Sequence, residues 1–348
     1  MTDQRIIDAV RNENYALKIY NASNNNNEAI PISTELIKTI SAIYRFIEPS
    51  HLNGNLIVYK RFGDNPLLPR ESASMIYNMD DLTHINAENI IIESSNELLY
   101  LWVDVKDITF LENTDDTVFY FYENNNECFY VNKQKINIPH YFECSSIYAL
   151  HYFYLNAALK QYKNEKISAS SCDTFKKCWY DSNRIFFKGA PEKQMQLSLK
   201  EFLSSALRGV EVVREYNLGA SKPVDIRVKW TEANKAALIE LKWIGKSISA
   251  SNNITPYTDN KANKGAIQLK EYLDMGNTDT PNIISKAYLV VIDGRRSSTN
   301  SISQVSINSS DGLFYENVEI QFEDANKFFE RMKNFEVPIR MFARPIYS

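Results

Sequence analysis

The chain has 348 residues, long enough for two domains that each bury a core of their own. Hydrophobic residues make up 44% and aromatic residues 12%, which excludes a disordered or fibrous chain. A formal net charge of −4 argues against a basic, nucleic-acid-binding coat spread over the whole surface.

The charge is uneven, however. Residues 221–300 carry 12 Lys/Arg against 8 Asp/Glu, while the remainder carries 27 against 35. A polyanionic substrate would favour that local excess. No apolar run approaches the roughly 18–20 residues of a membrane span, so no membrane partner is expected. The first residues lack the basic-then-apolar pattern of a secretory leader. Cys128, Cys144, Cys172 and Cys178 form neither a disulfide framework nor a CxxC pair, which points to a reducing cytoplasm. His140, Cys144 and His151 have no fourth ligand at zinc spacing and read as ordinary helix and loop residues.

In chain order, Ile6, Ile7 and Val10 have helical spacing, as do Leu36, Ile37, Ile40, Ile43 and Tyr44 within Thr34–Phe46. Asn24 to Asn27 make a polar break between them. From Gly54 to Ile138 the pattern turns to strands, at Leu56–Tyr59, Asn89–Ile92, Leu98–Val103, Val118–Tyr122 and Cys128–Val131. The turn-rich residues 123–127 join the last two as a hairpin. This front part reads as an α+β domain without a phosphate loop, metal-ligand spacing or catalytic triad. Tyr148, His151, Tyr152, Leu155, Leu159 and Tyr162 form a helical stripe that reads as packing between two halves. The small, polar Ser168–Cys172 marks the boundary, giving domains 1–165 and 170–348.

Pro191 opens a helix, with Glu192 at the N-terminal end of a stripe formed by Met195, Leu199, Phe202 and Ala206. Glu192 there is expected to face inward, and it also suits the helix dipole. Val210–Tyr216 reads as a strand, with Leu218–Lys222 as its turn. In the next segment Val224, Ile226, Val228 and Trp230 alternate with Asp225, Arg227 and Lys229. Ile239, Leu241 and Trp243 alternate in turn with Glu240 and Lys242. A turn centred between Glu232 and Ala233 sets Asp225 directly opposite Glu240. Opposed carboxylates have Cβ atoms about 4.5–5.5 Å apart and repel. A hard divalent cation with oxygen ligands relieves that repulsion. Lys242 points from the same face and could hold a water or a phosphate oxygen.

Gly245–Lys264 reads as a polar, mobile loop, and Ala266–Met275 as a helix closed by Gly276 that places Gln268 and Tyr272 on one face. Ser285–Ile292 is a continuous apolar strand leading to Asp293-Gly294-Arg295-Arg296. Those two arginines suit either a bidentate phosphate clamp or a solvated turn. Phe314–Phe322 and Ala325–Phe335 read as a last strand and helix.

Asp225 followed by Glu240-Leu241-Lys242 resembles the PD-(D/E)XK, restriction-endonuclease-like nuclease superfamily, with Val224 set between Pro223 and Asp225. Gln268-x-x-x-Tyr272 resembles the helix of its RecB-like and Cas4-like branches, and the likeness spans roughly Pro191–Ile292. The resemblance implies an α/β restriction-endonuclease-like domain, a mixed central sheet flanked by helices, behind the α+β N-terminal domain. It implies Mg²⁺, replaceable by Mn²⁺, held by Asp225 and Glu240, with the Leu241 carbonyl as a further ligand and Glu192 completing the site or holding a second ion or a water. Lys242 would orient the attacking water, with Gln268 and Tyr272 positioning that lysine and the nucleic acid; DNA is favoured over RNA by analogy. The front domain would then target or regulate a nuclease, as in bacterial defence against phage, through a protein partner or homo-oligomer. In the alternative, the nuclease-like fold is catalytically silent and serves as a nucleic-acid or protein binding module.

Overall fold

A computed structural model of the chain describes residues 14–47, 52, 54–82, 85, 87–124, 126–138, 147, 151–217, 223–231, 233–280 and 282–348. The expected helix at Ile6–Val10, the turn at Leu218–Lys222 and the residues His140, Cys144 and Tyr148 lie outside that set. By contacts the chain divides into two units, Met1–Leu150 and His151–Ser348.

In the first unit α1 covers residues 14–22 and α2 covers Ala29–Ile43. Asn24 and Asn25 take left-handed φ values of 58° and 62° between them, a conformation Asn tolerates. The expected helix at Thr34–Phe46 therefore begins and ends earlier, because Ala29, Ile32 and Ser33 also face the core. The strands are β1 (Asn55–Arg61), β2 (Ser74–Ile76), β3 (Asn89–Ser95), β4 (Leu98–Val103), β5 (Thr117–Glu123), β6 (Asn126–Val131) and β7 (Gln134–Ile138), with a short α3 (Phe110–Asn113) before β5. They order as β2-β4-β3-β1-β5-β6-β7, with β1 and β3 parallel and the remaining pairs antiparallel. Alternate residues serve two cores: Leu56, Val58, Ile90 and Ile92 pack with Leu36, Ile37 and Ile40. Ile57, Tyr59, Ile91 and Phe119 pack with Trp102, Leu67 and Phe110 on the other. A sheet covered on both sides buries every residue of a strand, which is why β1 and β3 read as apolar runs.

The second unit begins with α4 (His151–Tyr162), one π-helical turn at Lys163–Ile167 and α5 (Asp173–Lys176). Tyr152, Leu155, Leu159 and Tyr162 pack into this unit's core with Met195, Leu199 and Ile239. The domain boundary consequently falls before α4 rather than at 165–170, and the aromatic stripe is core of the second unit. Then follow β8 (Phe187–Lys188), α6 (Glu192–Ala206), β9 (Val210–Tyr216), β10 (Val224–Trp230), β11 (Lys235–Ile248), β12 (Ile254–Tyr257), α7 (Asp259–Asp279), β13 (Ile284–Gly294), α8 (Ser309–Gly312) and β14 (Ile339–Phe342). The main path of this mixed sheet is β14-β13-β11-β10-β9. β9, β10 and β11 run antiparallel in succession, whereas β13 is parallel to both β11 and β14. α4 and α6 share one core with the sheet, and α7 packs into a second.

Three expectations are corrected. Gly245–Lys264 is not a loop: β11 continues to Ile248, pairs with β12, and α7 already starts at Asp259. The polar side chains there hid the regular structure because they are satisfied internally. Asn263, only 4% exposed, donates to the carbonyls of Asp259 and Gln321, both at 3.0 Å. Next, Phe314–Phe322 forms no strand, and Ala325–Phe335 holds only the short 3₁₀ turns Asp324–Asn326 and Phe328–Glu330. The closing strand is β14, parallel to β13. Lastly, Leu203 rather than Ala206 completes the buried stripe of α6, and Ala206 is exposed. No helix among the described residues is long and apolar enough to cross a membrane.

Candidate metal centre

The site lies where β10 and β11 part. Their ladder pairs Lys229 with Ala236, Val228 with Ala237, Arg227 with Leu238 and Ile226 with Ile239. One further step along that register sets Asp225 against Glu240, as the hairpin reading expects. There the paired ladder stops and a side chain replaces it, because a buried backbone N–H needs an acceptor. The Leu241 amide donates to Asp225 Oδ2 at 2.8 Å, and Gln196 Nε2, from α6, donates to Asp225 Oδ1 at 2.7 Å.

Glu240 is fully buried in the middle of the sheet. Its Oε1 accepts from the Lys242 ammonium, and its Oε2 has no hydrogen-bond partner. Gln196 is 7% exposed, and its Oε1 is likewise without a donor. Two buried oxygens without a partner are therefore left open beside a second carboxylate. A polar atom buried in that way costs about 1–3 kcal/mol unless something fills its coordination.

The electrostatics agree. Burial pushes Asp225 up to about 6, while the Leu241 amide and Lys242 pull it back. Burial first, then the charge of Asp225, pushes Glu240 up to about 8. Burial would lower Lys242, but the Glu240 carboxylate holds its ammonium above the usual lysine range. Lys242 is accordingly a permanent cation at neutral pH, a donor rather than a base.

α7 fixes that lysine. Gln268 Oε1 accepts from Lys242 at 3.2 Å, and Gln268 Nε2 donates to the Tyr272 hydroxyl, which in turn donates to the Pro223 carbonyl at 3.0 Å. Burial pushes the Tyr272 phenol up to about 12, so it keeps its proton for that bond. The glutamine and tyrosine foreseen one helical turn apart thus hold the lysine and tie it to the start of β10. A glycine on the same helix makes room: a Cβ on Gly265 would lie 2.7 Å from Lys242 Cγ and 3.0 Å from Leu289 Cδ1.

Glu192 stands near the site without joining the two acids directly. It adds its charge to both, but its Oε1 pairs with Lys261 at 2.7 Å, and its side chain is 40% exposed. Lys261, in the first turn of α7, lies 4.1 Å from the Trp243 ring centre and 4.5 Å from that of Tyr257. Family models, curated proteins and solved structures give no match to this chain.

Arg295 and Arg296 do not form a clamp in this site. Arg295 pairs with the fully buried Asp293 at 2.8 Å and with Asp259 at 3.1 Å, and Arg340 pairs with the same Asp293. Arg296 is 5% exposed and donates to the Arg184 and Ala343 carbonyls. Arg295 completes the core around a buried carboxylate and Arg296 satisfies backbone carbonyls, which reading the turn in isolation could not reveal. Replacing Arg295 by Ala should cost about 3 kcal/mol of stability, because it strips a partner from a buried charge. Chemical denaturation checks this; an unchanged midpoint would contradict the structural role.

Among the described residues no group of three or more His, Cys, Asp or Glu could hold a metal ion. The donors present nevertheless suit Mg²⁺, which keeps several waters and binds through one or two carboxylates together with substrate phosphates. Asp225, Glu240 and the Gln196 amide oxygen are hard oxygen donors of that kind. Gln196 was missed in the sequence. Its signal was available, since it follows Glu192 by four residues on the same helix.

Proposed function

We propose that the second unit is a metal-dependent nuclease that hydrolyses phosphodiester bonds, with DNA as the favoured substrate. The observation that carries this reading is the pairing of Asp225 and Glu240 at the fork of two strands, with Glu240 Oε2 open and the Lys242 ammonium alongside. The order α6, β9, β10, β11, β12, α7, β13 supports it, because the Glu-x-Lys strand β11 comes before the Gln-x-x-x-Tyr helix α7, as in the resemblance to PD-(D/E)XK nucleases.

In this reading Asp225 and Glu240 would hold Mg²⁺ or Mn²⁺, with the open Gln196 oxygen as a further polar group beside them. A divalent ion supplies Lewis-acid polarisation of a phosphoryl oxygen and lowers the pKa of bound water. Lys242 offers a fixed positive charge where negative charge builds on the scissile phosphate. Gln268 and Tyr272 keep that charge in place. The Leu241 amide and Gln196 hold both oxygens of Asp225, so this carboxylate is oriented before any ligand arrives.

Plasmid incubated with the protein and Mg²⁺ or Mn²⁺ tests the proposal, beside Glu240→Ala and Lys242→Ala. Cleavage by the wild type alone supports it, and cleavage that survives both substitutions refutes it. Gly265→Ala is a finer probe. It should lower the cleavage rate about 10-fold or more by pushing the Lys242 stem aside, while metal binding persists. An undiminished rate would show that the lysine position does not matter. The reading as a catalytically silent binding module is favoured by one observation, that Glu192 is engaged by Lys261 rather than by the acids. Metal-independent DNA binding without cleavage under any divalent ion would select it.

A further inference from the structure

We propose that Lys261 and Glu192 form a substrate-sensing pair: a nucleic-acid phosphate takes Lys261 and thereby releases Glu192 toward the metal centre. This rests on the nuclease reading of the site and adds to it an order of assembly, in which nucleic acid and divalent ion each strengthen the binding of the other.

Three observations point to a pair built to open. First, both partners are reachable, Lys261 with 22% and Glu192 with 40% of its side chain exposed. The neighbouring pair of Lys242 and Glu240 is closed by contrast, with 14% and 1% exposed. Second, the Lys261 ammonium has another home. The faces of Trp243 and Tyr257 hold it at 4.1 and 4.5 Å, so it remains at the site when the carboxylate departs. Third, Glu192 stands one helical turn before Gln196 on α6, and the Gln196 amide bonds Asp225 at 2.7 Å, so a freed Glu192 starts next to the two acids. In the closed pair the Glu192 charge is shared with the Lys261 ammonium. Once freed, it adds a third carboxylate to a centre that otherwise has two.

The exchange is chemically balanced, because one anion replaces another at the ammonium. A phosphodiester oxygen accepts the hydrogen bond that Glu192 Oε1 now accepts, and no bond forms or breaks covalently. Lys261 also lies in the field of Lys242. The two ammonium groups together present a polyanionic backbone with adjacent positive charges, and only one of them is tied to a fully buried acid. Linkage then demands reciprocity: if DNA strengthens metal binding, metal strengthens DNA binding by the same factor.

The test is a calorimetric titration of the full chain with Ca²⁺, which has the same preference for oxygen ligands. It is run with and without a saturating 20-base-pair DNA duplex. For the wild type the duplex should tighten Ca²⁺ binding at least about 5-fold. Lys261→Met should bind Ca²⁺ more tightly than the wild type without DNA and show a coupling below about 2-fold. Lys261→Arg should restore the coupling. Glu192→Gln, a substitution at a half-exposed position, should abolish it and leave Ca²⁺ affinity the same with and without duplex. If Lys261→Met keeps the wild-type coupling, or if Glu192→Gln does, the sensing pair is wrong. The nuclease reading would still stand in that case, provided Asp225→Asn abolishes Ca²⁺ binding. If the wild type binds no Ca²⁺ with or without DNA, both fail together.

Discussion

Glu240→Ala should lower metal-dependent cleavage by at least about 10³-fold, equivalent to about 4 kcal/mol of lost transition-state stabilisation. The size follows from position. Glu240 is the most buried group of the site, its Oε2 is the open acceptor, and its Oε1 anchors the Lys242 ammonium. In the proposed centre one substitution would therefore remove a metal ligand and free the lysine charge proposed to meet the phosphate. Lys242→Ala should approach the same loss while leaving divalent-ion binding in place, since the lysine is a donor and not a ligand. The two effects should be strongly non-additive, because both residues act through one hydrogen bond. Single-turnover cleavage of a labelled duplex, measured for each single variant and for the double variant, decides it. Independent, multiplicative losses would show that the two side chains do not work as a unit.

The second large effect is a link between pH, metal and stability. Asp225 and Glu240 both titrate above the ordinary carboxylate range in the folded chain, chiefly because they are buried. The folded state then binds protons more tightly than the unfolded state does. Without metal, the contribution of these groups to stability is greatest below pH about 4. It is lost as pH rises through about 6 and about 8, the values to which the two groups are raised. The loss should amount to roughly 2 kcal/mol or more, since each tenfold gain in proton affinity on folding is worth about 1.4 kcal/mol. In the proposed centre a divalent ion would replace those protons. Adding 10 mM Mg²⁺, a concentration of order 100 times a sub-millimolar Kd, should return about 2–3 kcal/mol at pH 8 and little at pH 5. Thermal melts at both pH values, with and without Mg²⁺, measure the difference. An equal change at the two pH values would mean that the ion does not compete with protons at these acids.

The sequence carried the centre of the site well because that part obeys local rules. Period-two alternation and a short polar turn set the register of β10 and β11, and the register alone brought Asp225 to Glu240. Helical spacing likewise joined Gln268 to Tyr272. The residues that support the two acids were harder to read because they come from other elements. Gln196 belongs to α6, and its role exists only where the ladder ends and Asp225 needs a further donor. Lys261 sat in a stretch whose many polar residues looked like loop, and only the folded structure shows their internal partners. Arg295 and Arg296 misled for the opposite reason: a pair of arginines in a turn suggests an anion outside, and here Arg295 pairs with the buried Asp293 while Arg296 is spent on backbone carbonyls. In the first unit, strand positions followed from apolar runs, whereas β2 and β7 were missed for want of them. β2 has no buried residue and β7 is mostly exposed.

The facing pair of acids is tested most directly by locating a metal. Crystals soaked in Mn²⁺ and recorded at the manganese absorption edge should show an anomalous peak bonded to the carboxylates of both Asp225 and Glu240, and Asp225→Asn should remove it. A peak elsewhere, or none at these two side chains at millimolar Mn²⁺ and pH 8, would contradict a metal centre at the fork of β10 and β11.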